Sequence, residues 1–370
     1  MNWLSDRFEL SHGDGAHTLR PMEGLRGLAV LLVFLVHYTT LAAPWQDGGS
    51  ASALLARLLH LAGNSGVDLF FVLSGYLIYG SLIARRQALL PFMRRRLQRI
   101  YPTYGAVFLL YLALSLAFPA ESKIPPAAPD AALYLLRNLL LLAPLLGEPP
   151  LITVSWSLSY ELCYYLATPL LIAAFGLRRQ RRRWRVAFLF AVGGVIIAGH
   201  FALGAPLRSL MFVAGALLHE MRGHQHDMAG RLRPPSEGMT LAALTSALIF
   251  LLMPLAAPLK IVALAAALYR LCLCCFERPQ GWLGRAFCFA PLRWLGNMSY
   301  SYYLLHGLLL KAAFAALGRL PPSAAGPLLF WGALPLLLAV TLAGAAALFL
   351  LVERPLSLAP RRVPVLAAQA

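Results

Sequence analysis

Charged residues are scarce in this chain of 370 residues. Asp, Glu, Lys and Arg together make up 13% of the sequence, whereas hydrophobic residues make up 59%. An ordinary soluble domain carries about 25% charged residues, because polar side chains must cover its surface. The scarcity of charge therefore excludes a soluble enzyme, and the hydrophobic content excludes a disordered chain. The composition is that of a polytopic membrane protein.

Cysteine is scarce as well. The five cysteines lie in apolar stretches or in a short basic loop, which excludes a disulfide scaffold. We interpret them as small buried apolar side chains rather than metal ligands. The polar N-terminus leads into an apolar run that is too long for the core of a signal peptide, so no cleaved signal is expected.

Positive charge, by contrast, is in excess. The chain has 32 Lys and Arg against 15 Asp and Glu, a formal net charge of +17. In a membrane protein such an excess either orients the chain in the bilayer or binds something anionic. We interpret the six arginines of segment 178–185 as a topology anchor. Segment 94–99 leads directly into a predicted helix at Tyr101, and guanidinium groups at a helix start favour a phosphate site. Plain anchoring stays open for this second run.

The hydropathy pattern predicts ten spans, each apolar over about 19 residues. They lie near 25–43, 66–83, 101–118, 154–176, 184–203, 206–221, 239–255, 257–275, 299–317 and 327–351. Most basic residues fall on one side if both termini are cytoplasmic. The predicted fold class is therefore all-α, a polytopic protein of the cell inner (plasma) membrane with about ten transmembrane helices and both termini cytoplasmic.

This pattern divides the chain into three parts. We expect a cytoplasmic N-terminal segment at 1–24, a membrane-embedded domain at 25–356 and a cytoplasmic tail at 357–370. The outer segment 119–153 is rich in proline, which suits an ordered lid or entry loop. Within it, 131–147 is apolar but interrupted by polar residues and proline. We interpret it as an interfacial or re-entrant helix, with an eleventh span as the alternative.

Ionisable residues at membrane depth are costly and are therefore functional candidates. Arg26 and His37 lie eleven residues apart on the first span, which places them on one helical face about 16 Å apart. Glu161 is predicted at nearly the same depth as His37. Because a carboxylate can orient a histidine base, we hypothesise that the two pair. Asp68 and His306 are further candidates, with a helix N-terminal role and an interhelical hydrogen bond as their respective alternatives.

Several of these residues stand in motifs that occur in a fixed order. They are Arg26-x10-His37, the segment Gly66–Ile78 with Asp68 and Ser74, Arg96-x-x-Arg99, Trp156-Ser157-Leu158-Ser159-Tyr160-Glu161, Leu295–His306 and a closing Glu353-Arg354-Pro355. Together they resemble the acyltransferase-3 family of integral membrane acyltransferases over about residues 18–356. Two departures are Glu23, where the family more often has Asp, and the single carboxylate of Glu161 in place of an acid-rich pair.

The resemblance implies a membrane-bound O-acyltransferase. Such an enzyme transfers an acyl group, commonly acetyl, from cytoplasmic acyl-CoA to a hydroxyl of an extracytoplasmic or membrane-associated acceptor, most often a cell-surface glycan. It implies no tightly bound cofactor, no metal and no nucleic acid; the partners are the lipid bilayer, acyl-CoA and the acceptor. The expected catalytic residues are His37, Arg26 and Glu161. The expected substrate-binding residues are Arg94, Arg95, Arg96, Arg99, Asp68, Ser74, Trp156, Ser159 and His306.

Two other classes of protein stay open. A proton-coupled transporter of a small solute could use His37, Glu161 and Asp68 as its relay, although it has no need of arginines at a helix start. A non-catalytic partner in envelope assembly is the third possibility. Direct transfer by a His37 base and a covalent acyl-histidine are equally compatible with the sequence. The acceptor and the oligomeric state are not encoded in any motif.

Overall fold

The structure is a computed structural model that describes residues 2–10, 16–45, 51–84, 87–227, 235–318 and 326–358. Within these ranges the protein is helical and contains no β-strand, so the predicted all-α class is confirmed. The α-helices are α1 (Asn2–Phe8), α2 (Ala16–Ala42), α3 (Ala51–Ile83), α4 (Leu89–Ala117), α5 (Ala128–Leu139), α6 (Trp156–Ala174), α7 (Arg182–Leu203), α8 (Leu210–Asp227), α9 (Glu237–Leu252), α10 (Ala257–Glu277), α11 (Trp282–Phe287), α12 (Ala290–Asn297), α13 (Ser299–Leu317) and α14 (Gly326–Leu348). A π-helix, Phe349–Leu358, continues α14.

Each of the ten predicted spans overlaps an α-helix of the structure. In the described part of the chain, six helical stretches are long and apolar enough to cross a membrane: Arg20–Trp45, Ala53–Ile83, Leu89–Ala117, Arg182–Leu203, Ala257–Glu277 and Phe330–Leu358. Helices α6 and α13 carry the polar residues of the motifs above, which lowers their hydropathy. The protein therefore has several membrane-spanning candidates, whereas ten spans and the cytoplasmic termini stay predictions.

The apolar segment 131–147 does not form an eleventh span. It contains the end of α5, a helix of 12 residues, which is about 18 Å long against the roughly 30 Å of a hydrocarbon core. The chain then turns at Leu141, whose φ of 59° is left-handed. The side chain of Asn138 holds this turn by accepting a hydrogen bond of 2.7 Å from the backbone of Leu151. A short helix followed by a turn is consistent with the interfacial or re-entrant interpretation.

Helix α2 is the central element of the fold. One face of it contributes to a hydrophobic cluster with α3, α4, α8 and α10, and the other to a cluster with α13 and α14. The first face carries Met22, Leu25, Ala29 and Val33, and the second carries Val30, Phe34 and Tyr38. The spacing of three or four residues on the first face and of four on the second is that of a helix buried on both sides.

Glycines bring α2 close to the helices that precede α13. A Cβ at Gly24 would overlap the carbonyl oxygen of Phe287, and one at Gly296 would overlap the carbonyl oxygen of Glu23. Only glycine permits these backbones to touch. The motif around Arg26 thus fixes α2 against α12 and so sets the position of the Arg26 side chain.

Candidate active site

A wide, basic depression opens on the side of the molecule predicted to be cytoplasmic. It encloses about 990 Å³ and is lined by five arginines. Four of them come from the start of α4 and one from α8: Arg94, Arg95, Arg96, Arg99 and Arg222. No acidic residue is among the described residues that line it. We call this depression the arginine vestibule; its charge suits an anionic ligand.

A smaller and deeper space adjoins the vestibule. This inner cavity encloses about 130 Å³, and it shares Leu77, Arg96 and Arg99 with the vestibule. Its polar lining is Arg26, Ser74, Arg96, Arg99, Ser157, Glu161, Tyr165, Ser299, Tyr300 and Tyr303. Polar groups of five helices therefore converge on one space within the helical bundle.

Arg26 and Glu161 are both held by neighbours in the inner cavity. Arg26 donates a hydrogen bond of 2.9 Å to the hydroxyl of Ser299. Glu161 accepts hydrogen bonds from Ser74 at 2.9 Å and from Tyr165 at 2.7 Å. These five residues come from four helices, α2, α3, α6 and α13. The cavity therefore depends on tertiary packing rather than on any one motif.

The two arginines at the junction of vestibule and cavity are held differently. The guanidinium of Arg96 lies 5.3 Å from the ring of Phe92 and 5.2 Å from that of Tyr165, a cation–π arrangement. Arg99 forms an ion pair of 2.9 Å with Glu353. Within the described residues no ion pair engages Arg96, so its N–H groups are available to a ligand.

Glu353 belongs to this site, although its place in the closing Glu353-Arg354-Pro355 motif predicted no role for it. Its carboxylate is fully buried and accepts hydrogen bonds from the backbone N–H of Ser301 at 3.0 Å and from its hydroxyl at 2.5 Å. The π-helix at the end of α14 brings it next to Arg99. An acid in an otherwise apolar last helix was the available signal.

His37 lies apart from the inner cavity and does not line it. Its ring is 5.0 Å from that of His306, measured between centroids. Among the residues that the structure describes, no hydrogen bond or ion pair joins His37 to Glu161, whose partners are Ser74 and Tyr165. The pairing predicted from equal depth is therefore not found, because the two side chains belong to different clusters.

Asp68 forms another separate cluster. It is buried and lies 3.7 Å from Arg208, whose guanidinium stands 5.6 Å from the ring of Trp156. Helix α3 begins at Ala51, so Asp68 is in the middle of the helix, and the alternative of a helix N-terminal role is wrong. The span predicted at 66–83 begins later than α3 because the first turns of the helix, at 51–65, are more polar than the rest.

The remaining predicted residues divide between surface and interior. Arg94 and Arg95 line the vestibule. Arg95 donates a hydrogen bond of 2.7 Å to the side-chain oxygen of Gln87. Ser159 is fully buried, and its hydroxyl lies 3.4 Å from the carbonyl oxygen of Ser155, outside the inner cavity. The structure thus brings Arg26, Ser74, Glu161, Arg96 and Arg99 to the inner cavity and places Arg94 and Arg95 in the adjoining vestibule. The other predicted residues line neither space: Asp68, Trp156, Ser159, His37 and His306.

The site is that of a helical membrane protein with a buried polar cavity entered through arginines. The chain belongs to the acyltransferase-3 family, whose profile, described as an acyltransferase domain, matches residues 21–350. The resemblance read from the motifs is confirmed.

Curated relatives carry acyltransferase names. The chain is 31% identical over 214 residues to the acyltransferase MdmB of Streptomyces mycarofaciens, covering 52% of each protein. It is 32% identical over 203 residues to the O-acetyltransferase OatA of Staphylococcus aureus, covering 50% of this chain and 30% of OatA. It is 26% identical over 323 residues to YrhL of Bacillus subtilis, whose name proposes a peptidoglycan O-acetyltransferase, covering 77% of this chain and 47% of YrhL. The matches thus span about half the length of these relatives or less. No solved structure matches the chain.

Proposed function

We propose that this protein transfers an acyl group, in the simplest case acetyl, from cytoplasmic acyl-CoA to a hydroxyl of an extracytoplasmic or membrane-associated acceptor. A cell-surface glycan is the acceptor class that the name of YrhL favours. The observation that carries the proposal is the arginine vestibule adjoining a polar inner cavity. Together they offer an anion site and a route into the bundle.

The vestibule suits the nucleotide end of coenzyme A. This end carries several phosphate charges, and guanidinium groups bind phosphate oxygens in pairs of hydrogen bonds. The thioester arm would then pass between Arg96 and Arg99, the two arginines that the vestibule shares with the inner cavity. The reacting carbonyl would thereby enter the space that Arg26 lines.

His37 is the proposed base. A neutral imidazole there takes the proton of the acceptor hydroxyl, whose oxygen attacks the thioester carbonyl carbon. The C–S bond breaks, the ester forms, and the imidazolium of His37 returns its proton to the thiolate of coenzyme A. Arg26 lines the inner cavity through which the thioester would approach, and we propose that its guanidinium stabilises the negative charge on the carbonyl oxygen.

Glu161 is proposed to organise the cavity rather than to act on His37. Its carboxylate is engaged by Ser74 and Tyr165, and it shares the cavity with Arg26 and Arg96. A negative charge at that point balances the arginines when the donor is absent.

The vestibule also favours the enzyme over a proton-coupled transporter. The five arginines of the vestibule form a site for an anion. Transport of a neutral solute would give that site no ligand. Purified protein in proteoliposomes separates the two: turnover of external acyl-CoA with product inside supports the transferase. Solute flux without any need for acyl-CoA would contradict it.

Replacement of His37 tests the proposed base. We expect His37→Ala to lower transfer by about 100- to 10,000-fold, the usual contribution of a general base. Mass spectrometry of surface glycans and lipids measures it, comparing cells with the wild-type protein, the variant and neither. His200→Ala is the matched control, since His200 lies on α7 and contacts the carbonyl of Ala205 at 3.0 Å. Near-normal acylation by folded His37→Ala protein would contradict the mechanism.

A further inference from the structure

The ring of His306 lies beside the ring of His37. His306 is fully buried, and its ring is tilted by 59° to that of His37 at 5.0 Å between centroids. The ring of Tyr302 stacks on it at 5.4 Å. Tyr302 is fixed in turn by a hydrogen bond of 2.8 Å between its hydroxyl and that of Thr341. His306 is therefore held rigidly, whereas His37 is only partly buried.

The contacts of His306 fix which of its nitrogens carries the proton. Nδ1 lies 3.0 Å from the carbonyl oxygen of Tyr302, and a carbonyl oxygen can only accept a hydrogen bond. The proton of the neutral ring is therefore on Nδ1, which leaves Nε2 as an acceptor. This Nε2 is buried and has no hydrogen-bond partner within the described residues.

A buried acceptor without a partner destabilises a fold, so its presence points to a donor that reaches it during function. His37 is such a donor. Two imidazole rings whose centroids are 5.0 Å apart need only a rotation of one side chain to bring an N–H to about 3 Å from the other ring's nitrogen. Glu161 cannot take this place, because Ser74 and Tyr165 already hold its carboxylate elsewhere.

We propose that His306 is the positioning residue of His37, with Nε2 of His306 accepting a hydrogen bond from one ring nitrogen of His37 so that the other faces the acceptor hydroxyl unprotonated. The role is the one that an aspartate plays beside other histidine bases, here performed by a neutral ring. It rests on the proposed function, in which His37 is the base. When His37 takes the proton of the hydroxyl, it continues to donate to His306 until the proton passes to the departing thiolate.

Two substitutions of His306 separate positioning from packing. His306→Gln keeps an acceptor near the place of Nε2, whereas His306→Leu fills similar space without one. We expect His306→Leu to lower kcat by about 100-fold with little change in the KM for acyl-CoA, and His306→Gln to recover about tenfold of that loss, since partners that orient a functional histidine are commonly worth 10- to 100-fold. Equal activities of the two folded variants, or a loss confined to KM, would overturn the proposal.

A measurement on the unmodified protein does not depend on either variant folding. With ¹⁵N-labelled histidine, the NMR signals of His37 are assigned by comparison with His37→Ala, and those of His306 by their through-space contact with the ring of Tyr302. In the presence of a non-reactive acyl-CoA analogue we expect one tautomer of His37 and no proton on Nε2 of His306. A mixture of His37 tautomers, or a protonated Nε2, would overturn the proposal.

The two proposals fail in different ways. If the wild-type protein transfers no acyl group from acyl-CoA, the proposed function itself fails. If folded His37→Ala retains acyl transfer, the role of His37 as the base fails, and the role of His306 fails with it. If His37→Ala is inactive while folded His306→Leu reaches the wild-type kcat, His37 keeps its role and only the positioning by His306 is refuted.

Discussion

Two arginine-rich segments with similar composition have different surroundings. In segment 178–185, three of the arginines bind the protein itself: Arg178, Arg182 and Arg185. Arg178 donates to the backbone carbonyls of Leu82 at 3.0 Å and Gln87 at 2.8 Å, and Arg185 donates to both carboxylate oxygens of Glu220 at 2.6 and 2.8 Å. In segment 94–99, all four arginines line an open space.

The difference separates two uses of the same charge. Arginines whose N–H groups are already engaged by carbonyls and carboxylates fasten the connection between α6 and α7 to α3, and α7 to α8. Two arginines of segment 94–99 are held by the protein and still line the open space. Arg96 contacts aromatic rings, and Arg99 pairs with a buried carboxylate. Their charge is available to an anionic ligand. The role of the first segment as a topology anchor stays a prediction, to which the structure adds a packing role.

The largest effect on donor binding is expected at Arg99. We predict that Arg99→Ala weakens acyl-CoA binding by about 10- to 100-fold, because hydrogen bonds to charged groups contribute about 1.5–3 kcal/mol each. Titration of purified protein with a non-reactive acyl-CoA analogue measures it.

The control for this variant addresses Glu353. Arg99→Ala alone leaves a buried carboxylate without its counter-charge, which destabilises the fold by about 3–5 kcal/mol. The double variant Arg99→Ala/Glu353→Gln removes both charges, so we expect thermal stability to recover while donor binding stays weak. If the double variant binds acyl-CoA with wild-type affinity, Arg99 has only a structural role.

The opposite result is expected at Arg185. Glu220 is buried and has only the hydroxyl of Tyr79, at 2.7 Å, as its other side-chain partner among the described residues. Arg185→Met should therefore lower the melting temperature by several degrees without changing acyl-CoA affinity. Arg185→Met/Glu220→Gln is the matched control and should recover stability. A loss of donor affinity in a folded Arg185→Met protein would erase the distinction between the two segments.

The sequence predicted the helices and several of the residues that line the vestibule and the inner cavity. Long apolar runs have few alternatives to a helix in a membrane, and all ten predicted spans overlap helices of the structure. Arg26, Ser74 and Glu161 stand in separate motifs and share one cavity. Their convergence was implied by the family resemblance and not by any spacing.

The errors concern directions around a helix. Hydropathy and rise per residue give the depth of a side chain, but they do not give its azimuth in the bundle. His37 and Glu161 have similar predicted depths and different neighbours. Contacts such as that between Arg26 and Ser299, 273 residues apart in the sequence, arise from packing that no local pattern contains. The contact of Glu353 with Arg99 was not predicted for the same reason, because it too arises from tertiary packing.

The smallest effect is expected at Arg183, which completes the comparison. It lies in the same segment as Arg185, but it is exposed, and no contact of its side chain occurs among the described residues. Arg183→Gln should change neither acyl-CoA affinity nor melting temperature, because exposed surface positions without such contacts usually contribute within about 0.5 kcal/mol. Since this substitution removes as much charge as Arg99→Ala, a weakened donor affinity would mean that net charge, and not the placement of particular arginines, draws the donor to this face.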